Sequence, residues 1–256
     1  MAYLNTGEKK EVPSIPLEDY HIDTPLAEYD LNFCFPVKVL ESNAVRLEPF
    51  IPSIHAKEAW KVFESQAGAD VYKYIPFNRP ETWQEFLTHQ EKHRRTTAWQ
   101  DFAIIDKTRR SGPRLAGMIS MINSSAENLC SELGAVFVFP EFQRTHVNTH
   151  AAGLLLQYAF EDLKLRRMQW RANDLNEPSV RAAKRLGFAY EGTMLWDRVL
   201  PEGKTGRTVE ISEGYGTPQA GPGRHSAQLV ITWESWLSNV RNQVEGLMAR
   251  EIVVKD

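Results

Sequence analysis

The 256-residue sequence holds only two cysteines, Cys34 and Cys130, far apart and in no CxxC or CxxH spacing. That scarcity argues against a disulfide framework and a thiolate zinc site. No apolar run reaches the roughly 18–20 residues that a membrane-crossing helix needs. Residues 1–30 lack an apolar stretch behind a basic start, so neither a secretory leader nor a membrane partner is expected, and a cytoplasmic location is the default. A basic excess is missing too: 30 Lys and Arg stand against 33 Asp and Glu, a net charge of −3. Nucleic acid is therefore not an expected partner, and the pairs Arg94-Arg95, Arg109-Arg110 and Arg166-Arg167 read as solvated or ion-paired surface. There is no internal repeat.

What is present is a regular succession of short patterned segments. Residues 1–43 read as an extension with Pro13, Pro16, Pro25 and Pro36, in which Leu31, Phe33, Phe35, Val37 and Val39 can cover an edge of the body. Residues 44–250 read as a single domain. Alternation predicts strands at 45–49, 101–105, 115–122, 132–139, 168–172, 188–200 and 229–232. Spacing of apolar residues predicts helices at 53–66, with Ser53 as its cap, then 80–96, 147–163, 177–186 and 233–250. Residues 201–223 are Gly-, Pro- and polar-rich without periodicity and read as a mobile loop. One mixed sheet with helices on both faces is the economical packing of this order, an α/β fold.

The stretch from Phe139 to Phe188 carries the chemistry. A strand apolar on both faces ends at Pro140, a polar turn follows (Gln143-Arg144-Thr145-His146), and a helix begins at Val147. A helix start presents unpaired N–H groups and partial positive charge, which suit a phosphate or diphosphate, and Arg144 adds a charged donor. His146 and His150 have metal-compatible spacing, but no third ligand or HExxH arrangement accompanies them, so no metal site is expected. Downstream, Asn176 is a good cap for the next helix, with Ser179 at its third position.

The segment 142–151 (FQRTHVNTHA) resembles the acetyl-CoA loop of GNAT acetyltransferases, whose pattern is Arg/Gln-x-x-Gly-x-Gly/Ala. More narrowly, it resembles the branch that includes the ribosomal-protein N-acetyltransferases. Thr149-His150-Ala151, Tyr158-Ala159-Phe160, Asn176-Glu177-Pro178-Ser179, Leu186-Gly187-Phe188 and Glu191-Gly192 follow in that branch's order, and Glu132-Leu133-Gly134 with Pro140 precede the loop. The turn departs from the pattern: Arg144, His146 and Asn148 occupy its small-residue positions. Glycine there would let backbone approach a diphosphate closely. The Tyr that many members place on the helix after the Asn falls at Ala183.

The resemblance implies a GNAT fold with a mostly antiparallel sheet, acetyl-CoA as cosubstrate and no metal. It implies acetyl transfer to a primary amine of a small molecule or a protein N-terminus. The implied catalytic residues are Glu132, taking the amine proton, and Ser179, assisting the departing thiolate in place of the missing Tyr; Glu191 is a second candidate base. The implied cofactor contacts are Phe137 and Val138 on the strand, Gln143, Arg144, Thr145, His146, Val147, Asn148 and Thr149 around the turn, and Asn176. His225 is a candidate for the acceptor pocket. A second reading stays open: a non-catalytic GNAT-like module that binds CoA weakly or a protein partner, through Trp233, Trp236 and the Pro-rich tail. Monomer and homodimer are equally compatible with the sequence.

Overall fold

The computed structural model describes residues 15–208 and 221–252. Eight strands build one sheet: β1 (Leu40–Glu41), β2 (Val45–Pro49), β3 (Gln100–Asp106), β4 (Arg114–Ser125), β5 (Cys130–Val138), β6 (Arg167–Asn173), β7 (Ala189–Val199) and β8 (Gly223–Thr232). Their spatial order is β1-β2-β3-β4-β5-β6-β8-β7. Every neighbouring pair is antiparallel except β5–β6. All seven residues of β3 are buried, which requires cover on both faces. α1 (Lys57–Phe63), α2 (Gln66–Val71) and α3 (Trp83–Arg94) supply one cover, with Phe63 and Tyr72 packing their rings on Phe137. On the other face α4 (Val147–Gln157), extended by a wide turn at Tyr158–Asp162, lies across β2 to β5. The chain closes there with α6 (Trp233–Ser235), a wide turn at Trp236–Val240 and α7 (Arg241–Met248), whose Val244 touches α4 beside Gly153.

The first helix differs from expectation at both ends. Ser53 does not cap it, because Pro52 occupies the first helical position, where a fixed φ and missing N–H cost nothing. His55 takes the capping role, its Nδ1 accepting the Ile51 N–H at 3.0 Å, while Ser53 Oγ donates to the Thr24 carbonyl. The helix stops at Phe63 because Ser65 caps the separate α2, accepting the Gly68 N–H at 3.2 Å. The last strand starts at Gly223 rather than Leu229, since Gly223–Gln228 also pairs with β7. Trp236 is buried and stacked on Phe160, so it offers no exposed surface.

Within the extension, Ile15, Tyr20 and Phe35 are buried, and the Tyr158 hydroxyl donates to the Pro36 carbonyl. Arg94 and Arg95 both pair with the buried Glu91. Residues 209–220, the centre of the stretch read as a mobile loop, lie outside the described residues. Its flanks are tied down: Lys204 Nζ donates to the Tyr72 carbonyl at 2.8 Å, Arg207 pairs with Asp174, and the Asn173 side chain donates to the Thr205 carbonyl at 3.1 Å. Lys204 is held below the usual lysine range by burial.

Two tests follow from these packing relations. Gly187 ends α5 (Glu177–Arg185) with φ 95°, and a Cβ there would stand 2.7 Å from Val240. Gly187→Ala should lower the unfolding free energy by about 1–3 kcal/mol in urea denaturation. His150 is buried with its Nδ1 2.9 Å from Ser42 Oγ, and burial, then the charge of His146, lowers its pKa to about 4. Protonation is thus easier in the unfolded chain, whose histidine titrates near 6.5. The stability that neutral His150 allows is complete above about pH 6.5 and is lost as pH falls toward about 4, by at most about 3 kcal/mol. Urea titrations of wild type and His150→Gln across that window should show the shallower pH dependence in the variant.

Candidate active site

The sheet opens at the parallel junction between β5 and β6. β5 and β6 pair at Cys130–Arg167, Ser131–Met168 and Glu132–Gln169, and at no later position. From Leu133 onward β5 stays with β4, whereas β6 stays with β8 as far as Asn173–Ser226. A bulge accompanies the parting. Between Gly134 and Phe137 the β5 strand carries one residue more than β4 does between Met118 and Ser120, and Ala135 adopts φ 45°. Such a bulge bends its strand and increases the local twist. The result is a cleft of about 560 Å³ between the two strands.

Alternation sorts the side chains around it. Glu132, Arg171, Asp101 and Ser120 belong to the face covered by α1 to α3, because Asp101 is in register with Ser120, Ser120 with Gly134, and Glu132 with Gln169. Glu132 is buried; its Oε2 accepts from Arg171 Nε at 2.7 Å and from Asn123 Nδ2 at 3.0 Å. Its Oε1 points along the strand, 3.8 Å from where a Cβ of Gly134 would stand. Across the sheet, at β3, His93 Nδ1 lies 3.1 Å from Asp101 Oδ2, and its ring stacks on Trp99 at 3.8 Å. Burial alone would raise the Asp101 carboxyl. The His93 charge and donors from His93, Ser120 and Trp99 outweigh it and hold the group below the carboxylate range.

Residues of the opposite face approach from α5. Trp170, adjacent to Arg171 and so turned the other way, donates its indole N–H to Ser179 Oγ at 3.0 Å. That bond fills an acceptor position of the hydroxyl and leaves its own proton to donate elsewhere. Asn176 caps α5 as the sequence predicts, Oδ1 accepting the Ser179 N–H at 3.3 Å, and the residue also lines the cleft. On the β5 edge, Phe139 N–H is used by Ala116, so Val138, one residue back, turns its N–H and carbonyl to the opening. The carbonyl accepts from Gln143 Nε2 at 3.1 Å. Val138 thus turns its backbone to the opened edge without lining the cleft itself, and the Phe137 ring is committed to the core beside Phe63 and Tyr72.

The turn beyond β5 retains a glycine-like backbone without glycine, for Arg144 adopts φ 59°. Its exposed side chain borders a cavity of about 240 Å³ at the start of α4, together with Thr145, Thr149, Arg185 and Arg250. Thr145 Oγ1 accepts the Val147 N–H at 3.3 Å and donates to the Phe142 carbonyl. Val147 and Thr149 are buried, so Val147 offers only backbone, while Thr149 Oγ1 accepts from Arg185 at 2.9 Å. His146 turns away to bond Asp106 Oδ1 at 3.1 Å. Asn148 Oδ1 is buried with no partner.

The structure thus divides the expected site residues between two neighbouring places. Glu132, Gln143, Asn176 and Ser179 line the cleft, whereas Arg144, Thr145, His146 and Thr149 line the cavity at the turn. Glu191 lies outside both, paired with Arg167 on the exposed β7 edge. His225 also lies outside, with Nδ1 accepting the Trp196 N–H at 3.0 Å. Sequence reading missed Asn123, Arg171, His93 and Arg185. Only Arg185 lies on an element that local spacing predicts, the helix capped by Asn176; Asn123 and Arg171 meet the site through strand pairing, and His93 reaches it from α3.

Among the described residues no helix is long and apolar enough to cross a membrane, and no cluster of His, Cys, Asp and Glu is placed to hold a metal. The pattern of the family described as acetyltransferase (GNAT) domain matches residues 45–189. A Bacillus subtilis protein, provisionally named the ribosomal N-acetyltransferase YdaF, is 38% identical over 78 residues, 30% of this chain. The chain spans only 42% of that relative's length. Among solved structures, a GCN5-related N-acetyltransferase from Brucella melitensis matches with a TM-score of 0.69 and 26% identity, over 84% of this chain and 87% of its own. The spermidine N-acetyltransferase of Vibrio cholerae, solved with CoA and spermine, shares the fold at a TM-score of 0.58 and 15% identity, over 77% of this chain and 100% of its own. The family match begins at the first residue of β2 and ends at the first of β7, enclosing the bulge, the turn and α5; the chain belongs to the GNAT acetyltransferase family.

Proposed function

We propose that this protein moves an acetyl group directly from acetyl-CoA to a primary amine of a small molecule or a protein N-terminus, with Glu132 as base and Ser179 as proton donor to sulfur. The observation that carries the reading is the open edge of β5, with a carboxylate on one face and a hydroxyl that still holds its proton on the other. The thioester belongs on the Ser179 side, its carbonyl oxygen meeting the Val138 N–H and its pantetheine arm meeting Asn176. The diphosphate belongs at the start of α4, where Arg144 and Arg185 supply charge and the helix supplies N–H groups. A protein of the same fold, the Vibrio enzyme, was solved with CoA, which is in keeping with a CoA-borne acetyl donor.

The chemistry assigns one task to each group. An alkyl ammonium with a pKa of about 10.4 is almost wholly protonated at neutral pH, so its proton must leave before attack. Glu132, kept in ionic contact with Arg171, attracts the ammonium and takes its proton at Oε1. The amine nitrogen then bonds the carbonyl carbon, the C–S bond breaks, the nitrogen sheds its second proton to solvent, and the thiolate takes the Ser179 proton, which solvent replaces. The alternative of a non-catalytic module rested on the missing glycines and the missing Tyr. Arg144 keeps the glycine-like turn, and Ser179 offers a proton beside the opened edge.

Titration of the protein with acetyl-CoA should give saturable heat in the micromolar range; absence of heat at high micromolar cofactor removes the proposal. Measured by thiol release, Glu132→Gln should lose roughly 10²- to 10⁴-fold in kcat/KM while binding acetyl-CoA normally. Ser179→Ala should lower kcat about 10- to 100-fold with little change in the amine KM. Undiminished turnover in either variant takes that residue out of its role.

A further inference from the structure

The cleft has an end that the transfer chemistry does not use. Arg224 on β8 lines it on the same face as Arg171, since Arg224 lies four residues before Gln228, the register partner of Arg171. Only 7% of Arg224 is exposed. Its Nε donates to Ser226 Oγ at 2.8 Å, and that wholly buried hydroxyl donates to Asp197 Oδ2 at 2.6 Å. Nη1 and Nη2 have no hydrogen-bond partner, and no carboxylate stands within ion-pair distance of Arg224 among the described residues. Neither nitrogen is among the sealed polar atoms, and Arg224 is one of the residues lining the cavity.

Nearby carboxylates are already engaged. Glu132 is held by Arg171 and Asn123, and Asp197 by Ser226 and, at 3.6 Å, by Arg198. Burial and the charge of Arg198 pull the guanidinium below its ordinary pKa, against weaker opposing effects of Asp197 and Glu132. A buried guanidinium without a counter-ion is costly. Its two outer nitrogens form the planar fork that matches a carboxylate.

We infer that the acceptor carries a carboxylate as well as its amine: a small amino acid whose carboxylate is clamped by Arg224 while its amine meets Glu132. This rests on the acetyl-transfer reading and narrows its acceptor. Compactness follows from geometry: Glu132, Arg171 and Arg224 line one cavity of about 560 Å³. Acceptors that bear only positive charge meet Arg171, Arg198 and Arg224 together and are disfavoured.

The test sets α-, β- and γ-amino acids against their carboxamides, with putrescine and spermine as purely cationic amines. Calorimetric binding to the protein with CoA and thiol release with acetyl-CoA are both measured. Acids should exceed their amides by on the order of 10- to 100-fold, the worth of a charge-assisted fork. Arg224→Gln should abolish the preference, and Arg224→Lys should keep part of it. Equal use of acids and amides by wild type overturns the inference, as does binding of no acid in the panel; neither needs a variant to fold. A preference that survives in a folded Arg224→Gln protein overturns it too. Acid binding without acetyl-CoA binding removes the transfer reading and leaves the clamp standing, whereas brisk acetylation of the diamines in preference to acids does the reverse.

Discussion

The site depends on the parting of two parallel strands after three residue pairs. A parallel ladder normally saturates the backbone on both edges, which would leave no N–H for a thioester and no room for a cosubstrate. Here the bulge at Ala135 turns β5 away as β8 draws β6 in the other direction. Cohesion lost along the opened edges is partly restored by side chains. Gln143 takes the Val138 carbonyl, and Arg171 reaches from β6 to Glu132 on β5. The same ion pair therefore spans the gap and positions the carboxylate in it.

The two sides of the gap differ in character. The α5 side is neutral and hydrogen-bonded, with Trp170, Ser179 and Asn176 forming a short network tied to a helix cap. The opposite side is ionic, with guanidinium groups from three strands around Glu132 and Asp197. Polar groups are affordable at such depth only when paired, and nearly all of these are. An unpaired charge then stands out as information about what binds.

Much of this architecture is legible in the sequence itself. Strand alternation and the apolar run around 135–139 located the sheet, and the Asn176 cap emerged where local chemistry placed it. Ser53 misled because Pro52, one residue earlier, had already begun the helix. The wide turns at Tyr158–Asp162 and Trp236–Val240 left no mark in apolar spacing. The parting of β5 from β6 escaped for a different reason: it depends on which strands are neighbours, a relation between segments some forty residues apart in register. Asn123, Arg171 and His93 were missed on the same account. Arg144 is the opposite case, where residue identity suggested a departure and the backbone followed the glycine pattern nonetheless.

The tethers flanking residues 209–220 link both banks of the opening. Lys204 holds a carbonyl at the end of α2, on the β5 side, while Arg207 and Thr205 hold Asp174 and Asn173 at the end of β6. Spreading the banks strains these bonds together, so the mouth behaves as a frame of fixed span. Any widening of the mouth therefore has to begin by releasing one clasp.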